Sequence, residues 1–139
     1  MNDYRFKIPY SVRIADINYG GHVANSSVLN FFQDARIAYL SYLGGYSELD
    51  VGNGCGLLLP EAHVRYRSQM YIHDQLEIGV RISQLKRSSF TMEYCIERDF
   101  KTAVEGTTIM VCFDYTVGKI KSFDKAFLAK VNEFEKLSP

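Results

Sequence analysis

The chain has 139 residues, 47% of them hydrophobic, which is the size of roughly one domain with one core. Lys plus Arg and Asp plus Glu number 16 each, so the net charge is zero and the broad positive field that nucleic acid or an anionic membrane would need is missing. No run approaches the roughly 18 apolar residues of a membrane span, and no apolar stretch follows the basic residues at the N-terminus, so a protein of the cytoplasm is expected.

Cys55, Cys95 and Cys112 are odd in number and lack CxxC spacing, which predicts free thiols rather than a disulfide or zinc framework. No repeat, low-complexity tract or linker interrupts the sequence, so residues 1–139 are expected to form a single domain.

Tyr4 to Ala15 is expected to be extended, with Pro9 marking an edge strand or a bulge because proline cannot donate to a ladder. From Ser26 to Leu43, Val28, Phe31, Phe32, Ala35, Tyr39, Tyr42 and Leu43 follow helical spacing, and Leu29, Ile37, Ala38 and Leu40 widen the stripe. A helix this apolar is expected to be buried on most sides, capped by Asn25 or Ser26 and ended by Gly44-Gly45.

Beyond Gly56 the apolar period becomes two, in four successive runs. They are Ala62, Val64, Tyr66; Leu76, Ile78, Val80, Ile82; Phe90, Met92, Tyr94, Ile96; and Ile109 to Val117 at every second residue. Polar breaks at His73-Asp74, Arg87-Ser88 and Asp99-Phe100-Lys101 suggest antiparallel pairing through tight turns. A shorter amphipathic helix carries Phe127, Leu128, Val131 and Phe134, with Ser122 or Asp124 as its cap.

One strand, an apolar helix and four antiparallel strands describe an α+β hotdog fold, a long central helix wrapped by a curved sheet of about five strands. Val12-Arg13, Asp16-Ile17-Asn18, Gly21-His22-Val23, Asn25 and then Leu29 with Ala35-Arg36 resemble the acyl-CoA thioesterases of the 4-hydroxybenzoyl-CoA thioesterase-like family. Their pattern reads approximately VRxxDxDxxGHVxN, followed by ExAR on the helix. The resemblance is dense over about 25 residues, and the order of elements agrees over nearly the whole chain. It implies hydrolysis of a small to medium acyl or aryl thioester of coenzyme A or an acyl carrier, with no cofactor, in a homodimer or a dimer of dimers.

The departures fall on the chemistry. Asn18 stands where the family commonly has its second, catalytic acid, and Gln33, followed by Asp34, stands where a helix Glu is frequent. An amide has no ionisable oxygen with which to act as a base.

Thioester hydrolysis needs a group that activates water, donors for the oxyanion and a dry slot for the acyl chain. Backbone amides from Gly20 to Val23 are candidates for the donors, Gly21 and His22 foremost. Imidazole ordinarily titrates near neutrality, which makes His22 the best base of the loop, with Asp16 orienting it or activating water and Asn18 positioning water or carbonyl. Tyr19 and Asn25 join them as substrate contacts. A purely structural reading stands beside this one: Asp16 and Asn18 as turn caps and Asn25 as a helix cap.

The resemblance also implies that the segment matching Arg87 to Phe90 lines the pantetheine path, which makes Arg87, Ser88 and Ser89 binding candidates. His63, Arg65 and Arg67 alternate on one strand face, either meeting phosphate or forming a solvated row. His63 and His73 lie ten residues apart without HExxH spacing, so no metal site is expected. A second function class follows from Asn18: a protein that binds acyl thioesters without hydrolysing them.

Overall fold

The computed structural model describes residues 1 and 3–137. Among them the elements run β1 (Phe6–Ser11), α1 (Asn25–Gly44), β2 (Gly56–Tyr66), β3 (Gln75–Leu85), β4 (Ser89–Arg98), β5 (Lys101–Asp114), β6 (Lys119–Ile120) and α2 (Lys125–Glu135). The strands form one antiparallel sheet in the order β1-β3-β4-β5-β2, with β6 pairing with β5. This is the expected α+β architecture, with Pro9 on an edge strand opposite Glu77.

The core follows from register. Ile78 opposes Ile96, Val80 opposes Tyr94 and Ile82 opposes Met92, so alternate apolar residues share the face on which α1 lies. Phe32 of α1 stacks on Tyr94, with ring centroids 4.2 Å apart. The Phe32 ring lies over Gly106 of β5, where any β-carbon would collide with it.

Three expectations are corrected. β2 and β3 do not pair: β2 joins β5 at one edge while β3 lies between β1 and β4, so the segment after Tyr66 is a crossover rather than a tight turn. The run from Ile109 to Val117 marks the outer face of β5, since Thr108, Met110 and Cys112 are the buried ones, and Tyr115 and Val117 lie past the strand's end. Finally, α1 buries Val28, Phe31, Phe32, Ala35, Tyr39 and Leu40 but leaves Leu29, Ile37 and Tyr42 exposed, so one chain covers only one side of it.

The helix limits also differ in part. Gly45 ends α1 in the left-handed region, at φ 72°, as the glycine pair predicts. Its start is capped by neither Asn25 nor Ser26; Ala24 holds the cap position and offers no capping side chain. Asp124 precedes α2, again without a capping bond from its side chain. Beyond Val80, β1 no longer covers β3, and there Glu135 of α2 accepts the Ile82 N–H at 2.8 Å together with the Tyr39 hydroxyl at 2.7 Å.

Candidate active site

The segment from Asp16 to Asn25 is a hairpin-like loop pinned to the start of α1. Ile17 bridges Val23, the Asn18 N–H donates to the His22 carbonyl at 3.0 Å, and the Gly21 N–H donates to the Asn18 carbonyl at 3.1 Å. Gly21 has φ +80°, a conformation that favours glycine. At Gly20 a β-carbon would come within 2.9 Å of His22 Nε2 and 3.3 Å of Asn18 Oδ1, so the absent side chain lets these two groups converge. Tyr19 stands fully exposed at the tip.

Asp16 is buried and engaged by its neighbours. Its Oδ2 accepts the Tyr10 hydroxyl at 2.7 Å and the Arg13 N–H at 2.9 Å, and burial followed by this carboxylate raises the Tyr10 pKa. Its carbonyl accepts the Ala24 N–H at 2.9 Å and the Ser27 hydroxyl at 3.2 Å. Asp16 therefore ties β1, the loop and the helix start together, and no hydrogen bond joins it to His22 among the described residues. His22 Nδ1 faces the Val23 carbonyl at 3.3 Å; a proton assigned to that nitrogen leaves Nε2 as an acceptor.

Of the expected donors, the Gly20 N–H is taken by Asn18 Oδ1 at 2.9 Å, Gly21 by the Asn18 carbonyl, and Val23 by the Met70 carbonyl at 2.7 Å, whereas the His22 N–H donates to nothing among the described residues. Among the described residues the Asn25 and Ser26 N–H groups donate to nothing, as the first amides of a helix without a side-chain cap must. They carry the positive end of the α1 dipole. A small cavity beside them is lined by His22, Asn25, Val28, Tyr66 and Met70.

Arg87, Ser88 and Ser89 are not brought to this loop within one chain. Val12 follows β1 and donates to the Asp74 carbonyl at one end of β3, whereas Arg87 follows the other end. Eleven residues of strand lie between, about 35 Å. The Arg87 guanidinium donates to the Ser122 hydroxyl at 2.9 Å, and the Ser88 carbonyl accepts the Cys112 N–H at 2.8 Å. In the strand row, His63 contacts Glu61 at 2.9 Å and Arg67 contacts Glu105 at 2.8 Å, which favours the solvated reading for both.

Sequence reasoning passed over a second polar cluster, halfway along α1. Arg36 is buried, donating from Nε to Glu48 Oε1 and from Nη1 to the Tyr94 hydroxyl at 2.9 Å. Burial opposes the guanidinium charge, but Tyr94 and Glu48 outweigh it and hold the pKa above its ordinary value. Gln33 donates to Glu48 Oε2 at 3.1 Å, and Tyr94 contacts Thr108 at 2.7 Å. The signal was present: an arginine inside an apolar helical stripe requires a partner.

Fold and loop together define an α+β hotdog domain with a helix N-terminus open to an anionic or polarised oxygen. Residues 12–131 match the model of the thioesterase-like superfamily, and the chain belongs to that family. A 1,4-dihydroxy-2-naphthoyl-CoA hydrolase of Synechococcus elongatus is 25% identical over 116 residues, covering 82% of this chain and 84% of the relative. An acyl-CoA thioester hydrolase of Escherichia coli, YbgC, is 23% identical, covering 96% of this chain and 100% of the relative. A Thermus thermophilus thioesterase solved with coenzyme A and zinc superposes with a TM-score of 0.88 over 100% of both chains at 22% identity. Among the described residues no helix is long and apolar enough to cross a membrane, and no three His, Cys, Asp or Glu side chains cluster as metal ligands.

Proposed function

We propose that this chain is an acyl-CoA thioesterase that hydrolyses a small to medium acyl or aryl thioester to free acid and thiol. The observation that carries the reading is the pair of uncommitted amides at Asn25 and Ser26 beside His22, in a chain of the thioesterase-like superfamily. The thioester carbonyl oxygen sits at those amides, which strengthen their hydrogen bonds as the oxygen becomes anionic. His22 Nε2 takes a proton from water while the water oxygen bonds to the carbonyl carbon; collapse breaks the C–S bond, and the proton passes to the departing thiolate. Asn18, its Oδ1 held by Gly20, presents its NH2 group to the water. Asp16 positions the loop, Gly21 supplies its turn, and Tyr19 covers the entering thioester.

A second copy of the chain completes the site. Ser89 pairs with Val111, and Val111 with Leu58, so the Arg87–Ser89 turn is level with the Leu58 end of β2. His22 bridges Tyr71, past the Tyr66 end. A two-fold axis crossing the β2 edge reverses the neighbouring strand and lays the partner's Arg87 beside this loop, where it meets coenzyme A together with Ser88 and Ser89. Two such dimers give the tetramer. Three reduced thiols suit the cytoplasm.

The test is thiol release from a panel of acyl-CoAs from acetyl to aroyl. The reading expects turnover with at least one of them, reduced on the order of 10²- to 10⁴-fold by His22→Ala. Turnover with none, or turnover unchanged in this variant, rejects it. Asn18→Asp removes the NH2 donor and is expected to cost about tenfold in kcat; a rise would move water activation to position 18.

A further inference from the structure

Strand β2 ends on a side chain that reaches across to the start of α1. Tyr66 occupies its last rung, opposite Val104, and the Tyr66 hydroxyl donates to the Asn25 carbonyl at 3.0 Å, 41 residues away in sequence. The rung is firm, because the next two amides, Arg67 and Ser68, both donate to the Ala103 carbonyl, at 2.8 and 3.1 Å. Tyr66 therefore extends from the sheet itself, and it lines the small cavity together with His22 and Asn25.

The bond matters for what lies on the far side of the same peptide. The Asn25 carbonyl and the Ser26 N–H belong to one planar unit, and across a trans peptide bond they point in opposite directions. Holding the oxygen therefore fixes the direction of the N–H. It also polarises the unit: a carbonyl that accepts a hydrogen bond draws electron density from its nitrogen, which makes the N–H a stronger donor.

The first turn of α1 has no side chain of its own to steady it, since Ala24 offers no capping bond. The Asn25 N–H shares its plane with the Ala24 carbonyl, which accepts the Ser27 N–H at 3.0 Å, so the helix backbone holds that unit. The next unit is held from outside the helix, by Tyr66.

We propose that Tyr66 is a positioning residue: its hydroxyl, bonded to the Asn25 carbonyl, aims the Ser26 N–H at the thioester oxygen and strengthens that donor as the oxygen becomes anionic. This rests on the thioesterase reading of the loop, which puts a carbonyl at these amides. Tyr66 acts through the peptide and touches no reacting atom.

Tyr66→Phe removes one oxygen and keeps the ring. On purified full-length protein, with the acyl-CoA that wild type turns over fastest, kcat is expected to fall about threefold to tenfold, the worth of one hydrogen bond open to water. KM is expected to stay within about twofold, since the interaction gains strength only in the transition state. Turnover unchanged in Tyr66→Phe, or a rise in KM alone, overturns the proposal; a ring that merely packs would show its loss in Tyr66→Ala and not in Tyr66→Phe.

A second readout needs no catalysis and separates the failure of this proposal from the failure of the reading beneath it. In ketone analogues of acetyl-, butyryl- and benzoyl-CoA a methylene replaces the thioester sulfur, so nothing is hydrolysed, and the carbonyl stretch in isotope-edited infrared spectra falls as the oxygen is polarised. With the analogue that binds most tightly, the stretch in wild type is expected below its position in water and is expected to return toward that position in Tyr66→Phe. A stretch equally low in both proteins overturns the proposal and leaves the reading intact. An unshifted stretch in wild type, or binding of no analogue, rejects both. A shift that Tyr66→Phe abolishes in a chain without turnover upholds the aiming of Ser26 and rejects the hydrolase. If Tyr66→Phe does not fold, 3-fluorotyrosine in place of Tyr66 keeps the bond and makes its hydroxyl the stronger donor; the stretch is then expected lower still, and an unchanged stretch overturns the proposal.

Discussion

The two ends of the sheet carry the two groups of polar residues that the sequence singled out, and they are built differently. At one end, the loop before α1 spends most of its backbone amides internally and, among the described residues, leaves those of Tyr19 and His22 unspent along with those of Asn25 and Ser26 at the helix start. At the other, the turn from Lys86 to Ser89 is short, leans on β5 and the approach to α2, and carries the cations Lys86 and Arg87. On the proposed reading, one end polarises a carbonyl and the other holds coenzyme A. A single chain keeps them about 35 Å apart, so the difference teaches that this reading needs a second copy, each chain lending a different half to each of two sites.

The strongest way to break this arrangement is to keep the copies apart. Leu59 and Ala62 are exposed on the β2 edge, and Leu59→Lys with Ala62→Lys places charge where an adjoining strand would lie. The expected outcome is a monomer in sedimentation velocity, a melting temperature within a few degrees of wild type, and turnover lower by about 10²-fold or more, as for other losses of substrate positioning. A monomer of full activity would show that one end suffices.

A sharper and smaller test removes only the binding half. Arg87→Ala is expected to raise KM for acyl-CoA about tenfold with kcat little changed, the pattern of an interaction equal in ground and transition states. A fall in kcat alone would assign Arg87 to the chemistry.

The smallest expected effect lies beside the turn. Cys112 is buried, and burial followed by contact with the Cys55 thiol pushes its pKa up to about 12. It is fully protonated at neutrality, and native protein is expected to resist alkylation at pH 8 at Cys112, with all three cysteines labelling after denaturation. Rapid native labelling of Cys112 by mass spectrometry would mean that this end of the sheet opens.

Periodicity exposed those parts of the fold that rest on apolar side chains. Both limits of α1 were legible to within a residue, the end because Gly45 needs its left-handed conformation; the cap at its start was not, because Ala24 carries no signal and Asp16 supplies the anchoring from eight residues earlier. The inner face of β5 was misread for a physical reason. Gly106 is there to admit Phe32, and Thr108 to bond Tyr94, so the buried face is less apolar than the outer one. In the site, local spacing singled out the loop, whereas the commitment of the Gly21 amide and the bonds from Arg36 to Glu48 and Tyr94 depend on contacts that spacing does not encode.

Glu135 has a consequence beyond holding α2 in place. Where β1 stops, the Ile82 amide would point outward as a bare rung, an invitation for a stray strand from another molecule to join the sheet. A single side-chain carboxylate answers that rung from a helix, so the last turn of α2 acts as a hem along this border.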